Sequence, residues 1–88
     1  MNTNDVGEPA TDREVRITVN GQFVVLRHHE VTGEEIKQAA IAQGVPIQLD
    51  FVVSEVLPDG KHKPIADDKK IHAKDGDEFW AIPGDDNS

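Results

Sequence analysis

The chain has 88 residues, enough for one small domain and too few for a second hydrophobic core. Nine Lys and Arg against seventeen Asp and Glu give a formal net charge of -8, which repels phosphate backbones and anionic lipid surfaces. We therefore expect protein partners, with no nucleic acid and no membrane. The chain has no cysteine, which excludes disulfides and a thiol nucleophile. Without a signal-peptide pattern or a long apolar run, the expected location is cytoplasmic.

The two ends of the chain differ in composition from its middle. Residues 1–12 are polar and acidic, and Val6 is their only sizeable apolar residue apart from Met1, so we predict a flexible acidic tail. Residues 85–88 form a second, short polar tail at the C-terminus. The predicted folded domain is 13–84.

The first part of this domain has the pattern of a β-hairpin. Apolar and polar residues alternate from Val15 to Val19, which predicts a strand with one buried face. Asn20-Gly21 follows and is typical of a two-residue turn with positive φ at both positions. A loop of that length places Phe23 and Val25 on the face opposite the buried one.

A helix is predicted next. Thr32-Gly33-Glu34-Glu35 fits a capping box, in which the Thr hydroxyl and the Glu35 carboxylate bind backbone N–H groups of the first turn. Ile36, Ala39 and Ala40 form a narrow apolar stripe along one side of about three turns. Gly44 is placed to end the helix.

The remaining segments predict three more strands, giving the order β-β-α-β-β-β. Residues alternate from Ile47 to Ser54 as in a strand, and Pro64 together with nearby lysines suits an edge strand. The predicted segments are a strand starting at Ile47, a turn at Pro58-Asp59-Gly60, an edge strand from Lys61 to Ile65, turns at Asp67 to Lys70 and Lys74 to Asp77, and a last strand from Glu78 to Ile82.

This order predicts an α+β fold in which the last strand pairs in parallel beside the first and the helix is the crossover. The arrangement is a β-grasp, with a mixed sheet of four to five strands and one helix packed on one face. The sequence resembles the ubiquitin-like superfamily in its glycine-containing hairpin, its Thr-opened helix and its helix exit Gly44-Val45-Pro46.

A closer resemblance is to the prokaryotic multiubiquitin family of bacterial ubiquitin-like proteins. Four segments carry it: ITVNGQFVV (Ile17 to Val25), VTGEEI (Val31 to Ile36), PIADDKKI (Pro64 to Ile71) and KDGDEFWAIP (Lys74 to Pro83). The resemblance implies a protein modifier that is processed and conjugated, with an E1-like activating enzyme, an E2-like enzyme and a JAMM-type peptidase as partners, in a setting such as antiviral defence. Fold alone does not decide function. A non-conjugated β-grasp binding module and a sulfur carrier therefore stay open as alternatives.

Gly84 is the candidate site of C-terminal processing and conjugation that the resemblance implies. Glycine suits the role because a residue without Cβ passes through a narrow active-site channel. Conjugating members generally expose a terminal glycine, whereas here Gly84 follows Pro83 and precedes Asp85 to Ser88. Gly84 is equally typical of a residue that ends a strand.

The last strand suggests a partner-binding surface. Alternation sends Phe79 and Ala81 to one face and Trp80 with Ile82 to the other. In ubiquitin-like domains the open face of the sheet carries an apolar recognition patch. By that resemblance we expect the patch to consist of Phe23, Val25, Trp80 and Ile82, and the alternative is that Trp80 covers part of the core edge.

No catalytic or metal-binding group is expected. His28 and His29 are neighbours on an extended segment and point to opposite faces, and His62 and His72 have no partner at ligand spacing. The acidic pairs fall at a helix start and in turns, where they act as caps and turn acceptors. Neither a Ser-His-Asp context nor a phosphate loop occurs. We therefore expect a protein without enzymatic activity and without a cofactor.

Overall fold

A computed structural model describes residues 14–84 of the chain. The predicted tails, residues 1–12 and 85–88, lie outside the described residues. In chain order the described elements are β1 (Val15–Val19), β2 (Gln22–Leu26), β3 (Glu30–Thr32), α1 (Gly33–Ala42), β4 (Phe51–Val56), β5 (His62–Ile65), β6 (Lys70–His72) and β7 (Glu78–Pro83).

The predicted hairpin is confirmed. Asn20 and Gly21 both have positive φ, 53° and 81°, as a two-residue turn of this type requires. The strands pair antiparallel with Ile17 opposite Val24. The Asn20 side chain also bonds to β7, because its Oδ1 accepts from the Ala81 N–H at 2.8 Å and its Nδ2 donates to the Ala81 carbonyl at 3.1 Å.

The helix begins with the predicted capping box. The Glu35 N–H donates to Thr32 Oγ1 at 3.2 Å, and the Thr32 N–H donates to Glu35 Oε1 at 2.8 Å. Gly44, with φ of 99°, follows the C-terminal cap and stops the helix. Ile36 and Ala40 are buried by the sheet.

The main sheet has five strands in the order β2-β1-β7-β4-β5. β1 and β7 are parallel, and the other neighbours are antiparallel. The predicted α+β fold, a ubiquitin-like β-grasp with one helix on one face of a mixed sheet, is confirmed.

Three details of the prediction were wrong. β3 and β6 form a separate two-stranded sheet that the sequence pattern did not predict, and Lys70 belongs to β6 rather than to the preceding turn. The strand predicted from Ile47 begins only at Phe51, because Leu49 and Asp50 form a turn that the Phe51 N–H closes by donating to the Gln48 carbonyl at 3.0 Å.

The core lies between α1 and the sheet face that it covers. Val19, Val24, Val53 and Phe79 are completely inaccessible to solvent there, as is Ile36 from the helix. Among residues 14–84 no helix has the length and apolar character needed to span a membrane.

Candidate functional site

The open face of the sheet, the side turned away from α1, holds all four predicted surface residues. Phe79 and Ala81 fill the core, so the alternation along β7 turns Trp80 and Ile82 outward. Phe23 is 74% exposed and Ile82 58%, whereas Val25 and Trp80 are half-buried. The predicted sharing of one face is therefore correct.

The four side chains form two pairs rather than one continuous patch. Phe23 and Val25 lie on β2, and β1 separates that strand from β7. The β1 neighbours of Phe23 and Val25 are Thr18 and Arg16, so polar side chains lie between the two apolar pairs.

The apolar surface around Trp80 and Ile82 continues onto β4. Val52 is the cross-strand partner of Ile82 and is 41% exposed, and Ser54 is the partner of Trp80. Sequence reasoning missed Val52, although the signal was present, because Val52 is an apolar residue at a strand position whose side chain points to the open face. The Trp80 Nε1–H donates to Glu78 Oε2 at 3.2 Å, so the polar edge of the indole has a partner within β7.

A shallow groove of about 420 Å³ lies beside the β2 pair on the open face. The opposite side of the groove is formed by the turn at Asp75 and Gly76, which the backbone of Arg16 binds. The Arg16 N–H donates to Asp75 Oδ1 and the Arg16 carbonyl accepts from the Gly76 N–H, both at 2.8 Å. The groove thus has an apolar side and a charged side, lined by Glu14, Arg16, Ile17, Thr18, Phe23, Val25, Asp75 and Gly76.

Gly84 follows directly after β7 and packs against the start of β4. A Cβ built on Gly84 would lie 3.0 Å from the Asp50 carbonyl oxygen and 3.0 Å from Val52 Cγ2. Such contacts are tighter than most Cβ contacts, so a side chain here would require Asp50 or Val52 to shift by a few tenths of an ångström. Since Val52 also pairs with Ile82, the candidate processing site lies at one corner of the open face.

One expectation about the histidines was wrong. His72 has a close neighbour in space, because the β3 and β6 pairing brings its ring to 4.5 Å from that of His29, between centroids. Sequence spacing could not reveal this pair, since 43 positions separate the residues. No cluster of three or more metal-ligating side chains occurs within residues 14–84.

The acidic side chains in the turns take part in local hydrogen bonding. Asp75 accepts from Arg16, as described, and Asp77 Oδ2 accepts from the Lys74 N–H at 2.9 Å. Asp67 pairs with the buried Lys37, whose Nζ lies 2.7 Å from its Oδ1. These carboxylates therefore shape the chain where the sequence predicts turns and caps.

The family assignment rests on one comparison. The multiubiquitin family model matches residues 15–83. The chain belongs to the multiubiquitin family. No curated protein and no solved structure matches the sequence. The multiubiquitin match runs from the first residue of β1 to the last residue of β7, so it includes the whole sheet and ends one residue before Gly84.

Proposed function

We propose that this protein is a bacterial ubiquitin-like modifier that is processed after Gly84 and conjugated through that glycine. It is a substrate of other enzymes and has no catalytic activity of its own. The observation that carries the proposal is membership of the multiubiquitin family over the entire β-grasp unit. The partners are an E1-like activating enzyme, an E2-like enzyme and a JAMM-type peptidase, acting in the cytoplasm, for example in antiviral defence.

The chemistry at Gly84 has two steps. The peptidase hydrolyses the peptide bond between Gly84 and Asp85 and frees the glycine carboxylate. That carboxylate attacks the α-phosphate of ATP and forms an acyl-adenylate with release of pyrophosphate. Removal of Asp85 and Asp86 also removes two negative charges that would repel the ATP phosphates.

Gly84 is exposed but lies close to the start of β4. The glycine packs against Asp50, and Pro83 pairs with Phe51 at the end of the sheet. We expect the final residues of β7 to separate from β4 when an enzyme closes around all sides of the Gly84 backbone. Pro83 assists this separation because it has no N–H to donate to a neighbouring strand.

Intact-mass spectrometry tests the proposal directly. Incubation with the peptidase, the E1-like enzyme and ATP should convert the full chain to a form that ends at Gly84, and then to an adenylate or thioester. Gly84→Asp should block both steps while the circular dichroism spectrum keeps its shape. Asn87→Asp, which adds the same charge beyond the cleavage point, is the matched control and should be processed normally.

A non-conjugated binding module is the second candidate. The packing of Gly84 against Asp50 and Val52 favours it, because this packing gives glycine a structural reason to be there. If a chain truncated at Gly84 yields no adenylate, thioester or isopeptide product, the binding module becomes the better description. A sulfur carrier, with a thiocarboxylate on Gly84, ranks third since such proteins usually end in Gly-Gly.

A further inference from the structure

The two edges of the main sheet are protected very differently. β5 carries Lys63 and Pro64 and follows Lys61, and such residues discourage pairing with another strand. β2, at the other edge, has the sequence QFVVL without charge or proline. An uncharged apolar edge strand is a template for further strand pairing.

The pairing with β1 determines which backbone groups of β2 face outward. In a hairpin with a two-residue turn, the residues next to the turn exchange hydrogen bonds, and the pattern repeats at every second residue. Gln22, Val24 and Leu26 therefore bond to β1. The N–H and C=O groups of Phe23 and Val25 point away from the sheet.

The side chain of Gln43, the residue that caps the C-terminal end of α1, already occupies one of these outward positions. The Val25 N–H donates to Gln43 Oε1 at 2.9 Å, and Gln43 Nε2 donates to the Val25 carbonyl at 2.8 Å. The carboxamide of Gln43 thus gives Val25 the two hydrogen bonds that a residue of a neighbouring strand would give. Both of these bonds go to Val25, so Gln43 does not cover the backbone of Phe23, whose side chain is 74% exposed.

We propose that β2 pairs antiparallel with β2 of a second copy of this chain, and that Gln43 blocks this edge in the monomer. A two-fold axis at Val24 places Phe23 of each copy opposite Val25 of the other. Each of these two pairs exchanges two backbone hydrogen bonds, which gives four in total. The bonds use the outward groups of Phe23 and the groups of Val25 that Gln43 holds.

Charge distribution is compatible with a second copy despite the net charge of -8. The pairing strand itself is uncharged, and the proposed register places Arg27 opposite Gly21 of the other copy. The two Arg27 side chains then lie about 20 Å apart along the strands, well beyond the screening length at physiological salt. Like charges therefore do not face each other across the edge.

The buried area predicts a weak, concentration-dependent dimer. Contact along one five-residue strand covers less than the roughly 800 Å² per partner of a stable interface, even with Phe23 packed against Val25 of the second copy. In addition, both Gln43 side chains must leave their bonds before pairing. The monomer is therefore the dominant form at low concentration, and the Gln43 bonds raise the dissociation constant of the dimer.

Gln43→Ala tests this role by sedimentation equilibrium between about 10 μM and about 1 mM, the range in which weak dimers form. Loss of the carboxamide should lower the dimer dissociation constant by about tenfold or more, since two hydrogen bonds in each copy no longer compete. Gln38→Ala, on an exposed position of the same helix, is the matched control and should behave as the wild type. A folded Gln43→Ala protein that stays monomeric throughout would overturn the proposal.

Disulfide trapping tests the register, because the chain has no cysteine of its own. In the Gln43→Ala background, a mixture of Phe23→Cys and Val25→Cys proteins should form a mixed disulfide. Opposed hydrogen-bonded residues have Cα atoms about 5.5 Å apart, within the range that a disulfide spans. Each variant alone should crosslink much more slowly. A dimer that gives no excess of the mixed disulfide would mean that the copies associate through another surface.

Discussion

At the scale of single residues, Gly33 shows a position that depends on the absence of a side chain. It is the first residue of α1, and a Cβ there would lie 2.5 Å from the Ala66 carbonyl oxygen and 3.0 Å from that of Ile65. The next residue, Glu34, donates its N–H to the Asp67 carbonyl at 3.1 Å. The start of the helix is thus docked against the backbone that follows β5.

Gly33→Ala should therefore destabilise the protein although alanine is the better helix former. Overpacking of this kind typically costs about 1–3 kcal/mol, whereas helix propensity returns at most roughly 1 kcal/mol and less at the first residue of a helix. Urea unfolding followed by the fluorescence of Trp80, the single tryptophan, measures the change. Gln38→Ala should remain near the wild-type value. A Gly33→Ala protein as stable as the wild type would mean that the loop at Ala66 yields easily.

At the scale of elements, Lys37 connects the helix to two other parts of the fold. Its side chain is almost completely buried, and its Nζ donates to the carbonyls of Leu49 and Phe51 at 2.5 and 2.6 Å. The same Nζ pairs with Asp67, which is largely exposed. One ammonium group thus holds the turn before β4 and the loop after β5 against α1.

Replacement of Lys37 by methionine keeps the apolar stem and removes the ammonium group, so the two carbonyls and the Asp67 carboxylate lose their partner. A buried carbonyl left without its charged donor destabilises the folded state. Lys37→Met should therefore lower the free energy of unfolding by about 2 kcal/mol or more. Lys63→Met, on exposed β5, is the matched control and should change it little. Urea titrations of both variants give the comparison, and equal stabilities would show that water replaces the ammonium group at these carbonyls.

Lys37 also shows where sequence reasoning ends. The hairpin turn and the capping box were predictable because their hydrogen bonds join residues close in the chain. The helix pattern identified Ile36 and Ala40 as buried, but a lysine next to them in the helix, such as Lys37, would be predicted to face solvent. Its burial depends on carbonyls 12 and 14 positions away, which only the folded chain brings near.

The same reason explains the incomplete prediction of the candidate site. Strand alternation placed Trp80 and Ile82 on one face, because that is a local property of β7. Whether Phe23 and Val25 join them depends on strand order, and β1 between β2 and β7 divides the expected patch. The short strands β3 and β6 were likewise missed, since three residues are too few to show an alternation and their pairing is long-range.

At the scale of the whole molecule, one sheet separates a covered face from an open one. Phe79 and Trp80 are neighbours in β7 but belong to opposite faces: Phe79 is inaccessible to solvent under α1, and Trp80 is half-buried on the open face beside Glu78. Substitution of these two adjacent aromatic residues therefore compares the loss of a core side chain with the loss of a side chain on the open face.

Phe79→Ala should cost about 3–5 kcal/mol, a large part of the stability of a small domain, because it leaves a cavity in the core. Trp80→Ala should cost much less stability. If the open face binds the proposed E1-like partner, Trp80→Ala should also weaken binding by about 2 kcal/mol, or roughly 30-fold in the dissociation constant. Calorimetric titration of the folded variant measures this loss. Unfolding as severe as that of Phe79→Ala would place the indole in the core, whereas a stable variant with unchanged affinity would remove Trp80 from the binding surface.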